Sequence, residues 1–183
     1  GQGQDAVVQL AEVEFVSGAG GIRVSSEQVA VTVAARTAAG ETVASVKRTL
    51  AFTAEGAGAF RLLRADDTNR PALVAFTDQE NAKISADAQG VLLTVKRPGP
   101  YTLNVETRET VRENETGPTY FMWASFGGLK SCVEVELPSA ELDVQGLSVA
   151  QFTSVPGSGR TSVSGVLTTG TRRFGVSYRP RVR

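Results

Sequence analysis

The chain of 183 residues carries 19 basic and 19 acidic side chains, so it has no surplus positive charge with which to bind a nucleic-acid backbone. With 41% hydrophobic and 21% charged residues it has the makings of a packed core rather than a disordered tail, and no apolar run is long enough to cross a bilayer as a helix. It contains no histidine and a single cysteine, Cys132, which excludes an internal disulfide, cysteine-based zinc sites and every mechanism built on an imidazole.

Apolar residues alternate with polar or small ones along most of the chain, the period that buries one face of a strand and wets the other. Strands are expected over residues 7–16, 22–24 and 28–35, followed by a turn at Ala38-Ala39-Gly40-Glu41 and a long strand over 42–53. Within that strand Val46, Arg48, Leu50 and Phe52 fall on one face and Ser45, Lys47, Thr49 and Ala51 on the other, making 28–53 a long hairpin. Gly56-Ala57-Gly58 breaks the chain before a strand at 59–64, and Asp66-Asp67-Thr68-Asn69 reads as a loop.

Residues 78–88, with Gln, Glu, Lys and Ala and only Ile84 β-branched, hold the best prospect of a helical turn. Next, strands at 91–96 and 101–111 flank Arg97-Pro98-Gly99-Pro100, where proline and glycine have the dihedrals of a type II turn; a tight hairpin within one sheet is expected. Strands at 119–126 and 129–137 around Gly127-Gly128 form a similar pair. Shorter strands follow at 141–144, 149–155, 161–167 and 172–178.

Roughly a dozen short strands without an amphipathic helix point to an all-β antiparallel sandwich, immunoglobulin-like or related. The whole chain, 1–183, reads as one domain; the alternative is a boundary near Pro138 that leaves 139–183 as a smaller β unit. The chain opens on Gly1 rather than Met, as after removal of a signal peptide or from a cloning remnant, and its alternation stops at Arg183 as a piece of a longer chain would.

The run from Gly90 through Leu93, Lys96-Arg97-Pro98-Gly99-Pro100-Tyr101 and Leu103 to Val105, with Val133-Glu134-Val135-Glu136-Leu137-Pro138 after it, resembles a pattern in uncharacterised β-rich bacterial cell-envelope proteins. The resemblance implies an extracytoplasmic setting, periplasmic or at the cell surface, and brings no catalytic residues with it.

Few residues suggest chemistry. Glu12 with Glu14, and Glu134 with Glu136, share a strand face at the two-residue period, which is the ordinary look of a solvated strand. Asp66, Asp67 and Asn69 in one loop, and Asp78, Glu80 and Asn81 in another, have oxygen ligands of the kind calcium takes but not the spacing of an EF-hand; they read as turn residues. The glycine clusters at 18–21 and 56–58 lack the lysine and the following helix of a phosphate loop. Asn114-Glu115-Thr116 is a glycosylation sequon, relevant only to a eukaryotic secretory setting.

Cys132 reads as a small buried apolar residue. The last strand sets Phe174, Val176 and Tyr178 on a core face against Arg173, Arg179, Arg181 and Arg183 on a wet one.

Aromatics are sparse, at 7% of the chain, yet Tyr120, Phe121, Trp123 and Phe126 cluster. A strand apolar on both faces is expected to be central and buried; if it is exposed, Tyr120, Trp123 and Phe126 form a binding platform for a glycan or a protein. The leading expectation is a non-catalytic interaction or architectural module of a larger bacterial envelope protein, with no catalytic residues, metal or cofactor and with a protein or glycan surface as partner. The alternatives are a carbohydrate-binding module using exposed aromatics and a carboxylate-dependent glycosidase, whose acids would be Asp66, Asp67, Asp78 and Glu80.

Overall fold

The computed structural model describes residues 14–18, 21–35, 37–38, 42–65, 71–77, 79–110, 118–126, 128–168, 170–171 and 173–182. Among them the chain forms fourteen strands and no helix, grouped into three sheets. The largest is a platform of seven, ordered β12 (Ala150–Pro156), β13 (Thr161–Leu167), β10 (Lys130–Leu137), β2 (Ile22–Val33), β3 (Val43–Ala54), β8 (Gly99–Thr110) and β5 (Ala72–Phe76). A four-stranded sheet runs β1 (Glu14–Gly18), β4 (Gly58–Arg64), β7 (Gly90–Val95), β6 (Ala82–Asp87). A three-stranded sheet runs β11 (Leu142–Leu147), β14 (Arg173–Pro180), β9 (Thr119–Ala124).

Alternation explains the layering. On β3 the inward set Ala44, Val46, Arg48, Leu50, Phe52 and Ala54 is buried, while Lys47 and Thr53 between them are exposed. Register carries that face across the platform: Val31 lies opposite Val46, Val135 beside Val31, and Val163 opposite Val135. Both smaller sheets cover this one face. The three-stranded sheet packs Phe121, Trp123, Phe174 and Val176 against Val29, Val31, Val46 and Val135. The four-stranded sheet packs Phe60, Ile84, Val91 and Leu93 against Leu50, Phe52, Leu103 and Val105. Two apolar clusters thus lie side by side on a shared floor, a sandwich with a divided upper layer.

Several expectations are corrected. The Arg97–Pro100 segment does not turn a hairpin: β7 and β8 belong to different sheets, and the segment carries the chain from the upper layer to the platform. Proline and glycine favour a reversal whether its arms pair with each other or face each other across a core, so the turn chemistry cannot distinguish the two. Here Lys96 N–H bonds the Asn81 carbonyl at 2.8 Å and the Tyr101 hydroxyl donates to the Arg97 carbonyl at 2.7 Å, fixing the crossover.

The same applies at 125–129, since β9 and β10 sit in different layers rather than forming a pair. Residues 82–87 form a strand, not a helical turn, because Ala82 and Ile84 reach the core at period two and pairing with β7 outweighs local helix propensity. The two strands expected at 22–24 and 28–35 are one strand, β2, with a register shift between Val24 and Ser26. Cys132 is exposed, on the outer face of β10 between the buried Ser131 and Val133.

The expected hairpin over 28–53 is present as β2 and β3, paired antiparallel from Ile22 opposite Ala54 to Val33 opposite Ala44. One platform pairing runs parallel, β10 beside β2, with Val133 level with Val29. Beyond Pro138 the chain returns to both layers, β13 pairing with β10 in the platform and β14 with β9 above it. The expected strand at 7–16 is described only from Glu14 onward.

Candidate interaction site

The boundary between the two apolar clusters is polar. Arg48, 1% exposed, projects from the platform between Val46, in one cluster, and Leu50, in the other. Its guanidinium donates to the Thr107 hydroxyl and to the Ala124 carbonyl at 3.4 Å each, and lies 3.8 Å from the Glu109 carboxylate. Glu27, fully buried on β2, accepts hydrogen bonds at 3.0 Å from the Ser125 hydroxyl and the Phe126 N–H.

Together these groups hold residues 124–126, the segment that leaves β9 for the platform. Burial pushes the Glu27 carboxyl above the usual carboxylate range, opposed by the Phe126 N–H, the charge of Arg48 and the Ser125 hydroxyl. Glu27 Oε1, Arg48 Nε and Glu109 Oε2 are buried without a hydrogen bond. These residues were not singled out from the sequence, although Glu27, Arg48 and Glu109 all stand in phase with the apolar face of their strands.

A second ion pair braces the four-stranded sheet. Arg61, 6% exposed, makes a two-pronged bond to Asp87 at 2.7 and 3.0 Å and reaches Gln89 at 3.3 Å. Arg61, then the Gln89 N–H, holds the Asp87 carboxyl below its ordinary range.

The aromatic cluster is largely core. Trp123 is 1% exposed, its ring 5.0 Å from Phe121 and 5.4 Å from Phe174; Phe126 is 2% exposed in the neighbouring cluster. Of the three platform candidates only Tyr120, half-buried, has solvent access. Glu134 is exposed and Glu136 half-buried on the outer platform face, where Glu136 accepts a bond from the Ser162 hydroxyl at 2.7 Å. Glu80 is exposed, while Glu12, Asp66, Asp67, Asn69, Asp78 and Asn114 lie outside the described residues. Among the described residues no group of three potential ligands could hold a metal ion.

A cleft of about 550 Å³ opens where β11, the edge of the three-stranded sheet, diverges from β12, the edge of the platform. Residues Leu142 to Gln145 of β11 line it, with Ser154 and Pro156 of β12 and Thr161 of β13. Ser177, Tyr178, Arg179 and Arg181 add a cationic side, and Pro118 completes the wall. Near the β11–β12 turn the strands close up, since a Cβ on Gly146 would meet the Phe152 ring at 2.6 Å; Ser148 in the turn and Gln151, where β12 shifts register against β13, have positive φ, 60° and 51°. The Arg181 Nε donates to Asp143 at 3.1 Å, and its NH2 group reaches the Leu142 carbonyl at 3.5 Å.

No family model matches the chain, and no curated protein matches it. Among solved structures it is similar to an M1 zinc metallopeptidase from Deinococcus radiodurans, with a TM-score of 0.56 and 19% identity over 89% of this chain and 44% of that one. It is similar also to a candidate nutrient-binding protein from Legionella pneumophila, with a TM-score of 0.58 and 10% identity over 91% of this chain and 69% of that one. The chain therefore spans less than half the length of the peptidase chains it resembles. At these identities the likeness is one of fold.

Proposed function

We propose that the chain is a non-catalytic interaction or architectural module of a larger bacterial envelope protein. The observation that carries this reading is where the charged side chains go. Arg48, Glu27, Glu109 and Arg61 are buried in contacts that join layers or strands, and the cleft between β11 and β12 is walled by two strand edges and arginines, which suit holding a partner. Likeness to under half of a peptidase chain supports the scale of the reading, a module beside other parts.

Two measurements test it. The purified chain is assayed for hydrolysis across glycoside and peptide panels, with and without added zinc; no turnover is expected, and turnover that scales with protein concentration would overturn the non-catalytic reading. Fractionation of cells carrying the full-length gene is expected to place the product in the envelope, and recovery from the cytosol would refute that setting.

A further inference from the structure

The two edges bounding the cleft present unused backbone groups to it, and the hydrogen-bond register identifies which ones. In an antiparallel pair, residues alternate between those bonded to the partner strand and those facing away. Arg181 N–H bonds the Glu141 carbonyl, so Asp143 and Arg179, two positions along in register, also face each other in bonded fashion; Leu142 and Val144 point their backbone groups away from β14. On the other wall Gly157 N–H bonds the Arg160 carbonyl, which makes Val155 and Ser162 a bonded pair and turns the backbone of Ser154 to the free edge. Among the described residues Val144 and Ser154 have no other partner for these groups.

Charge decides what would use them. Arg181 is engaged by Asp143, the single acid among the described residues that line the cleft, whereas Arg179 is exposed and has no ion-pair partner among the described residues. We infer that the cleft takes an extended acidic peptide segment, which adds as a strand to the β11 edge at Val144 and sets a carboxylate on Arg179. Main-chain bonds along a bare edge supply affinity for a strand, and the arginine selects its charge. The inference deepens the module reading and rests on it.

The test uses a fluorescein-labelled peptide, Glu-Val-Glu-Val-Glu-Val, and its Lys-Val counterpart, with binding followed by fluorescence anisotropy. The acidic peptide is expected to bind more tightly than the basic one, and Arg179→Glu to reverse that order. Val144→Pro removes the outward N–H without touching a bond to β14, a change an edge strand tolerates, and is expected to weaken the acidic peptide by about tenfold or more. Thermal unfolding confirms that each variant is folded. Equal binding of the two peptides, no binding of either, or unchanged binding by a folded Val144→Pro protein would overturn the inference while leaving the module reading intact. Cleavage of the peptide, detected by mass, would instead overturn the module reading.

Discussion

Replacing Arg48 by Met is the most informative perturbation of the fold. The side chain is 1% exposed, and the two carboxylates around it, Glu27 and Glu109, are 0% and 3% exposed. Methionine has a comparable apolar stem, so little packing is lost; what goes is the only cation placed between two buried acids among the described residues of this seam. Removing one partner of a buried pair costs about 3–5 kcal/mol, because the remaining charge has neither water nor counter-ion. For a chain of this size that corresponds to a fall in Tm of roughly 6–20 °C.

Urea unfolding at pH 7.5 measures the loss, with Lys47→Met, one residue away on the wet face, as a control expected to stay within about 0.5 kcal/mol. The triple replacement Arg48→Met, Glu27→Gln, Glu109→Gln is expected to recover much of the loss, since no net charge remains buried. A cost below about 1 kcal/mol for Arg48→Met would refute the argument, showing that the seam is already screened.

Three further outcomes follow from the same geometry. Because the Glu27 carboxyl titrates higher in the folded chain than unfolded, its contribution is fullest below the unfolded carboxylate range and is lost as pH rises through the folded value. Glu27→Gln should remove that decline in unfolding free energy between acidic and neutral pH; parallel curves for variant and parent would contradict it. Gly175→Ala places a Cβ against the Phe121 carbonyl oxygen, where β14 meets β9, and should cost about 3 kcal/mol in urea unfolding, with wild-type stability as the contrary result. Cys132, exposed on the outer platform face, should react stoichiometrically with a thiol reagent in the native protein; reaction only after denaturant would contradict its placement.

Strand positions were legible because alternation survives in nearly every element: Val29, Val31 and Val33 are buried and Gln28, Ala30 and Thr32 are not. Sheet membership was not, because Pro98 and Gly99 reverse the chain equally well within a layer or between layers. Ala82–Asp87 misled for a different reason: its helix formers are outvoted by pairing with β7, an interaction between distant choices of the chain. Trp123 is buried as expected, but with Phe121 on the one core face of β9, which is the edge of its sheet and not the central strand its two apolar faces suggested, while Tyr120 and Met122 stay half-buried on the other face. The cleft had no signature at all. It is made by the divergence of β11 and β12, and residues such as Ser154 and Val144 look ordinary until the register shows where their amides point.

The parallel seam between β10 and β2 governs how the protein can be made. Val133 finds Val29 roughly 100 positions back along the chain, a closure that costs entropy before any contact repays it. During synthesis β2 and β3 can zip together early, but one flank of β2 stays bare until residue 137 has left the ribosome, exposing amides and the valines meant for the floor. A chain that ends before that point keeps an open sheet edge along β2, a template for pairing with another chain.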